Sequence, residues 1–140
     1  MNDITVDIQS SIDQEIIINQ IPNWTKLVLN QIDIRSSHID VLIVDVKEGE
    51  YYNMVFRKRP DPTNVLSFPE NNNSGLIVLC DAVIQKESME LDRTVEERYF
   101  QVYSHGVLHL CGYTHDFDED TQIMESIEDN LFEMFKKNKS

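Results

Sequence analysis

The spacing of hydrophobic and polar positions divides the chain into segments with two different periods. Polar and apolar residues alternate over 3–9, which is typical of a half-buried strand. Runs of mostly apolar residues over 38–46, where β-branched residues are frequent, and over 75–80 predict strands in the interior of a sheet. A short fourth strand is predicted over Val65–Phe68, where Pro69 ends it.

Helical spacing predicts amphipathic helices over 21–34 and 119–137, and a shorter helix over 47–57. The pattern is also helical from residue 83 onward. The inner face of the last helix is predicted to carry Ile123, Ile127, Leu131, Met134 and Phe135. With no repeat, linker or break in composition, the sequence predicts one α+β domain over 1–140. We expect a small mixed sheet of about four strands packed against several helices, one of which binds a metal.

Charge and cysteine content narrow the functional class and the compartment. The 140 residues include 25 acidic and 12 basic side chains, a formal charge of −13, which argues against a protein that coats nucleic acid non-specifically. Cys80 and Cys111 form no CxxC pair and are expected to be reduced thiols. The first basic residue is Lys26, so no signal-peptide n-region is present, and no apolar run is long enough to cross a membrane. We therefore expect a cytoplasmic protein.

One helix carries its own start and stop signals. Thr94 followed three residues later by Glu97 forms a capping box for a helix that runs to about Cys111. Gly112 then ends the helix, since glycine adopts the left-handed conformation without steric cost.

Three of the four histidines fall on and just after this helix. His105 and His109 stand four residues apart, on the same helical face, and Gly112 allows the chain to bring His115 back towards them. Three imidazoles with one open position are the ligand set of a catalytic zinc site. The alternative is that these histidines are satisfied core residues. His38 is isolated and receives no role.

The same histidine spacing occurs in the metzincin proteases, whose pattern is HExxHxxGxxH. Their glutamate is the general base, and Gly106 stands at that position here. A zinc metalloprotease is thus an alternative, but the chain lacks the glutamate that would be its general base.

The densest basic cluster is Arg57, Lys58 and Arg59, in a loop with two prolines. Taken alone, three basic residues are most simply a solvated loop. The uninterrupted segment PTNVLSFP, over 62–69, follows directly.

Together with the histidine run HGVLHLCGYTH over 105–115, this segment resembles the YbeY family of metal-dependent, single-strand-specific endoribonucleases that mature bacterial rRNA. The two motifs match the family's H-G-x-L-H-L-x-G-Y-x-H and P-T-[DN]-V-L-S-F-P patterns, and Arg57 corresponds to the family's arginine just upstream. Nearly the whole chain takes part in the resemblance.

The resemblance implies zinc, one ion per chain, on His105, His109 and His115. It implies cleavage of single-stranded rRNA in 16S rRNA 3′-end maturation, ribosome biogenesis and quality control, with the small ribosomal subunit or its assembly factors as partner and no membrane. We expect the catalytic Arg57 to clamp the scissile phosphate. Lys58 and Arg59 are expected to position the neighbouring RNA backbone.

The chain departs from the family pattern at two carboxylates, where Leu76 and Thr114 stand instead. Both changes are expected to remove a carboxylate near the site that could orient a metal-binding imidazole. Ser67 is either a hydrogen-bond donor near the metal or an ordinary strand hydroxyl.

A ribosome-assembly binding module with a structural zinc remains the alternative to the enzyme. Seven acidic residues over 116–129 are expected to repel phosphate from that flank, which confines RNA to one groove.

Overall fold

A computed structural model describes residues 3–57 and 63–138. Within these ranges the chain forms four strands and five α-helices, the second of which continues into a π-helix. The strands are β1 (Asp3–Ser10), β2 (Ser36–Val44), β3 (Val65–Pro69) and β4 (Gly75–Cys80). The helices are α1 (Glu15–Gln31), α2 (Val46–Tyr52), the π-helix (Asn53–Arg57), α3 (Asp81–Glu90), α4 (Val95–Leu110) and α5 (Asp118–Asn138).

The four strands form one mixed sheet in the order β1-β2-β4-β3. β1 pairs with β2 and β2 with β4 in parallel, whereas β3 pairs with β4 in the antiparallel direction. β3 is therefore an edge strand, and its free side is available to form the wall of a groove. The predicted α+β class and the small mixed sheet are confirmed.

The two faces of the sheet pack against different partners. Alternate positions of β2 and β4 enter the main core with α1, α4 and α5: Ile39, Val41, Ile43, Ile77 and Leu79. The positions between them form a smaller cluster on the other face: Val44, Val78 and Cys80, with Leu66 of β3. This alternation follows from the two-residue period of a strand.

The first helix begins earlier and ends earlier than predicted. The hydrophobic spacing predicts a helix over 21–34, but α1 begins at Glu15 and includes Pro22 in its interior. Ile17 and Ile21 are buried one turn apart, so burial of this face outweighs the cost of the β-branched residues and the missing proline N–H.

The predicted helix over 47–57 is divided into two parts. β2 ends two residues earlier than predicted because the Asp45 side chain caps α2. The chain then continues as a π-helix that ends at Arg57. The remainder of the predicted basic loop, 58–62, lies outside the described residues.

The inner face of α5 is rotated from the predicted one. Ile123 is exposed, and the buried positions are Met124, Leu131, Phe132 and Phe135. These positions recur at helical spacing around one stripe, which the exposed Ile123 flanks. Although α5 is the longest described helix, none of the described helices is long and apolar enough to cross a membrane.

Candidate metal centre and groove

The two ends of α4 are fixed by the residues that the sequence analysis identified. The Thr94 side chain accepts a hydrogen bond from the Glu97 amide, and the Glu97 side chain accepts one from the Thr94 amide, which completes the capping box. At the other end Gly112 has a φ of 96°, in the left-handed region. No atom lies within 4 Å of a Cβ built there, so the requirement for glycine is conformational and not steric.

This local geometry brings the three predicted histidines together. One nitrogen from each of His105, His109 and His115 lies within 4.8 Å of the others. The His105 and His115 rings stack with centroids 4.9 Å apart, and His109 meets both rings edge-on. His105 and His109 are half-buried, whereas His115 is exposed.

The outer nitrogens of two of the rings have specific partners. His105 Nδ1 lies 3.0 Å from Glu128 Oε2, and His109 Nδ1 lies 2.9 Å from the Tyr113 carbonyl oxygen. A carbonyl or carboxylate oxygen only accepts, so in both rings Nδ1 carries the proton. In the neutral form of each ring, Nε2 is then left with a lone pair. Such carboxylate and carbonyl partners orient metal-binding histidines in proteins.

The inner nitrogens fit a bound cation. His105 Nε2 and His109 Nε2 lie 2.9 Å apart, and with both Nδ1 atoms protonated two lone pairs face each other. A cation held between them relieves this repulsion. In a tetrahedral zinc site with Zn–N bonds of about 2.0–2.1 Å, two ligand nitrogens lie about 3.3 Å apart, so the rings need to move only slightly.

The surroundings of His109 favour its neutral form. Burial lowers the pKa of His109, and the neighbouring His105 and His115 lower it further. The Tyr113 carbonyl and Glu128 act in the opposite direction but do not reverse the shift. A neutral imidazole is the form that ligates a metal.

A groove of about 1100 Å³ runs alongside the three histidines. α4 lines its floor, β3 and the segment before it line one wall, and α5 lines the other. α5 runs antiparallel to α4, because Glu128 reaches His105 while Phe135 stacks on Phe100, with centroids 4.4 Å apart, towards the other end of α4. The histidines thus lie towards one end of the groove, near the C-terminus of α4.

Gly106 lies at a close contact between α4 and β3. A Cβ on Gly106 would stand 3.2 Å from Ser67 Oγ and 3.2 Å from Val65 Cγ2. The Ser67 hydroxyl donates a hydrogen bond to the Gly106 carbonyl at 3.2 Å and so ties β3 to α4. Position 106 therefore faces the strand, and a metzincin-type glutamate there would crowd Ser67 and Val65.

The two departures from the family pattern have different consequences. Leu76 packs in the smaller cluster, on the face of the sheet opposite α4. The expectation that a carboxylate at 76 would stand near the site is therefore wrong, because alternate strand positions face opposite sides. Thr114 does line the groove.

The predicted basic residues are described only in part. The Arg57 backbone ends the π-helix, directly after Phe56, which lines the groove and meets Phe68 with ring centroids 4.7 Å apart. Lys58 and Arg59 lie outside the described residues.

His38, which received no role, lies in a separate polar group. It contacts Asp7 and Asp40 across β1 and β2, at 3.5 Å and 3.2 Å. These side chains are 47% to 76% exposed and lie on the face of the sheet opposite the main core. The group is separate from the groove.

Glu128 is a site residue that the sequence pattern did not predict. It was counted among the acidic residues of the flank over 116–129, yet its carboxylate contacts His105. The helical period of α5 indicates that Glu128 faces inward. Glu128 stands four residues after Met124 and three before Leu131, on the buried stripe of α5. A carboxylate on an inner stripe needs a polar partner.

Comparison with known proteins agrees with the fold and the motifs. The family model described as endoribonuclease YbeY matches residues 3–136. The solution structure of TM1509 from Thermotoga maritima aligns with a TM-score of 0.66 and 23% sequence identity. The alignment covers 95% of this chain and 93% of that chain. At this identity the likeness shows a shared fold.

Proposed function

The chain belongs to the YbeY endoribonuclease family, and on this premise we propose that it is a metal-dependent hydrolase of single-stranded RNA, with 16S rRNA precursors as substrate. We place its action in the cytoplasm, in 3′-end maturation and quality control of the small ribosomal subunit, as one hydrolase domain. The observation that carries the proposal is the convergence of three imidazoles beside a long groove.

His105, His109 and His115 would hold the ion, and zinc is the metal that fits three neutral nitrogens with one position left open. When bound, such an ion acts as a Lewis acid and lowers the pKa of water to about 7. Glu128 and the Tyr113 carbonyl keep two of the rings oriented with their Nε2 atoms turned inward. Gly106 stands at the position of the metzincin glutamate and faces β3, so no glutamate base is available there.

In this proposal Arg57 binds the scissile phosphate. Its guanidinium is always protonated and presents planar donors to the charge that develops on the phosphate oxygens. Lys58 and Arg59 hold the neighbouring backbone. The position of the Arg57 backbone beside Phe56, at the edge of the groove, supports this assignment.

The test is a single-turnover cleavage assay on a 16S rRNA precursor, combined with metal analysis of each purified variant. We expect His109→Ala to lose both metal and cleavage. Arg57→Ala is expected to keep its metal and to cleave about 100-fold more slowly or worse, as loss of a donor to developing charge does. Lys86→Ala is the matched control, because Lys86 is 78% exposed on α3 and pairs with Glu90.

Two results would contradict the proposal. If Arg57→Ala cleaves as fast as Lys86→Ala, the phosphate role of Arg57 is wrong. If the wild-type protein binds the precursor but does not cleave it with metal present, the protein is a ribosome-assembly binding module with a structural metal.

A further inference from the structure

The groove extends well beyond the histidines, towards the start of α4. Arg98 lines it seven residues before His105, which is about 10 Å along the helix axis. Arg93 lines it just before the helix begins. Neither residue belongs to the motifs that identify the family. Together they place two arginines at this end of the groove, in a chain whose formal charge is −13.

The two arginines differ in how their charge is used. Arg98 donates to Glu87, with Nη2 3.1 Å from Oε1, and its side chain is only 20% exposed. Arg93 is exposed and forms no ion pair with any carboxylate of the described residues. Its Cζ atom lies 4.9 Å from the centre of the Phe132 ring.

The cation–π contact with Phe132 favours the binding of an anion by Arg93. This cation–π contact restrains the side chain at the wall of the groove, and no carboxylate of the described residues pairs with the guanidinium donors. Lys136 lies over the same ring, also at 4.9 Å, but its Nζ atom is already paired with Glu133 Oε1 at 2.9 Å. Because the aromatic ring fixes the guanidinium beforehand, little conformational entropy is lost when a phosphate binds.

The opposite end of the groove has the reverse charge. His115 is followed by Asp116, Asp118 and Glu119, all of them exposed. The α5 wall between the two ends carries Glu125 and Asp129. A polyanion that passes the histidines is therefore repelled beyond His115 and attracted towards Arg93, along the β3 side of the groove.

We propose that Arg93 binds a backbone phosphate of the RNA, so that the bound strand extends from the histidines towards the start of α4, on one side of the cleaved bond. This inference rests on the proposed function, since it takes the substrate to be single-stranded RNA. The Arg93 subsite is distinct from the Arg57 site. It also gives the groove a direction, with the RNA strand extending from the histidines towards the start of α4.

The test uses RNAs lengthened stepwise on one side or the other of the cleaved bond, in single-turnover reactions with metal-loaded protein. We expect the half-saturating concentration of wild-type protein to fall with extension on one side only. Arg93→Ala should remove that gain, raising the half-saturating concentration about tenfold for the extended RNA while the maximal rate changes little. The salt dependence of binding should weaken by about 0.7 in log–log slope, the value of one phosphate contact on a single strand.

Two further variants separate the subsite from general charge and from folding. Lys86→Ala removes one positive charge outside the groove and should leave both quantities as in the wild type. Arg93→Lys keeps the charge but loses the planar donors, and should recover part of the gain. Equal binding by wild type and Arg93→Ala, or equal losses in Arg93→Ala and Lys86→Ala, would overturn the assignment.

The same RNAs, followed by fluorescence anisotropy, keep this inference distinct from the proposed function. If the wild type binds with one-sided length dependence but cleaves nothing, the proposed activity fails and the subsite stands. If it cleaves with no length dependence on either side, the subsite fails and the activity stands.

Discussion

Replacement of Glu128 tests whether a carboxylate on α5 orients the metal-binding His105. Its Oε2 atom lies 3.0 Å from His105 Nδ1, and both side chains are less than 30% exposed. Glu128→Ala leaves the Nδ1–H group without this acceptor, so the ring can rotate and its Nε2 becomes a weaker ligand. Loss of such a partner lowers metal affinity about 10- to 100-fold, which corresponds to about 1.4–2.7 kcal/mol of binding free energy.

The assay is a zinc titration in competition with a chromophoric chelator. Glu128→Gln keeps a carbonyl acceptor without the charge, and we expect it to recover part of the affinity that Glu128→Ala loses. Glu125→Gln and Asp129→Asn are matched controls, because each removes one negative charge from the same wall of the groove. Within the described part of the chain, neither Glu125 nor Asp129 forms a hydrogen bond with a histidine. An affinity of Glu128→Ala within twofold of the wild type, or equal losses in the controls, would refute the reasoning.

Two further predictions concern the framework that holds the site. Gly106→Glu should lower the free energy of unfolding by about 3 kcal/mol or more, because the new side chain meets Ser67 and Val65 in a buried contact. It should also create no protease activity. Thermal unfolding and casein digestion measure the two effects, and a stable variant that digests casein would contradict the prediction. The buried Tyr99 hydroxyl donates to the Asp81 carboxylate, and burial followed by this bond raises the pKa of Tyr99. Tyr99→Phe should therefore cost about 1.5–3 kcal/mol in urea unfolding with zinc affinity unchanged, and an unchanged unfolding midpoint would show that the bond contributes nothing.

The residues that the sequence predicts best are those whose positions depend on local geometry. His105 and His109 share a helical face by their spacing alone, and Gly112 ends that helix by its own conformational preference. The capping box at Thr94 is likewise a contact between residues three apart. Such features need no knowledge of how the helices pack.

Features that depend on packing between distant segments were predicted poorly. Glu128 reaches His105 only because α5 returns antiparallel along α4, and a small error in the inner face of α5 was enough to hide it. The comparison with the family pattern predicts a missing carboxylate near the site at position 76, but the Leu76 side chain lies on the opposite face of the sheet. The start of α1 was missed because burial of Ile17 outweighs local propensity.

The most direct test of the central claim is the single-turnover rate of RNA cleavage as a function of bound zinc per chain. Protein freed of metal by a chelator should not cleave a 16S rRNA precursor, and the rate should rise in proportion to added zinc until about one ion is bound per chain. His109→Ala should remain inactive across the same titration. Cleavage at the full rate by zinc-free protein, or a rate that does not respond to zinc while the precursor stays bound, would contradict the account.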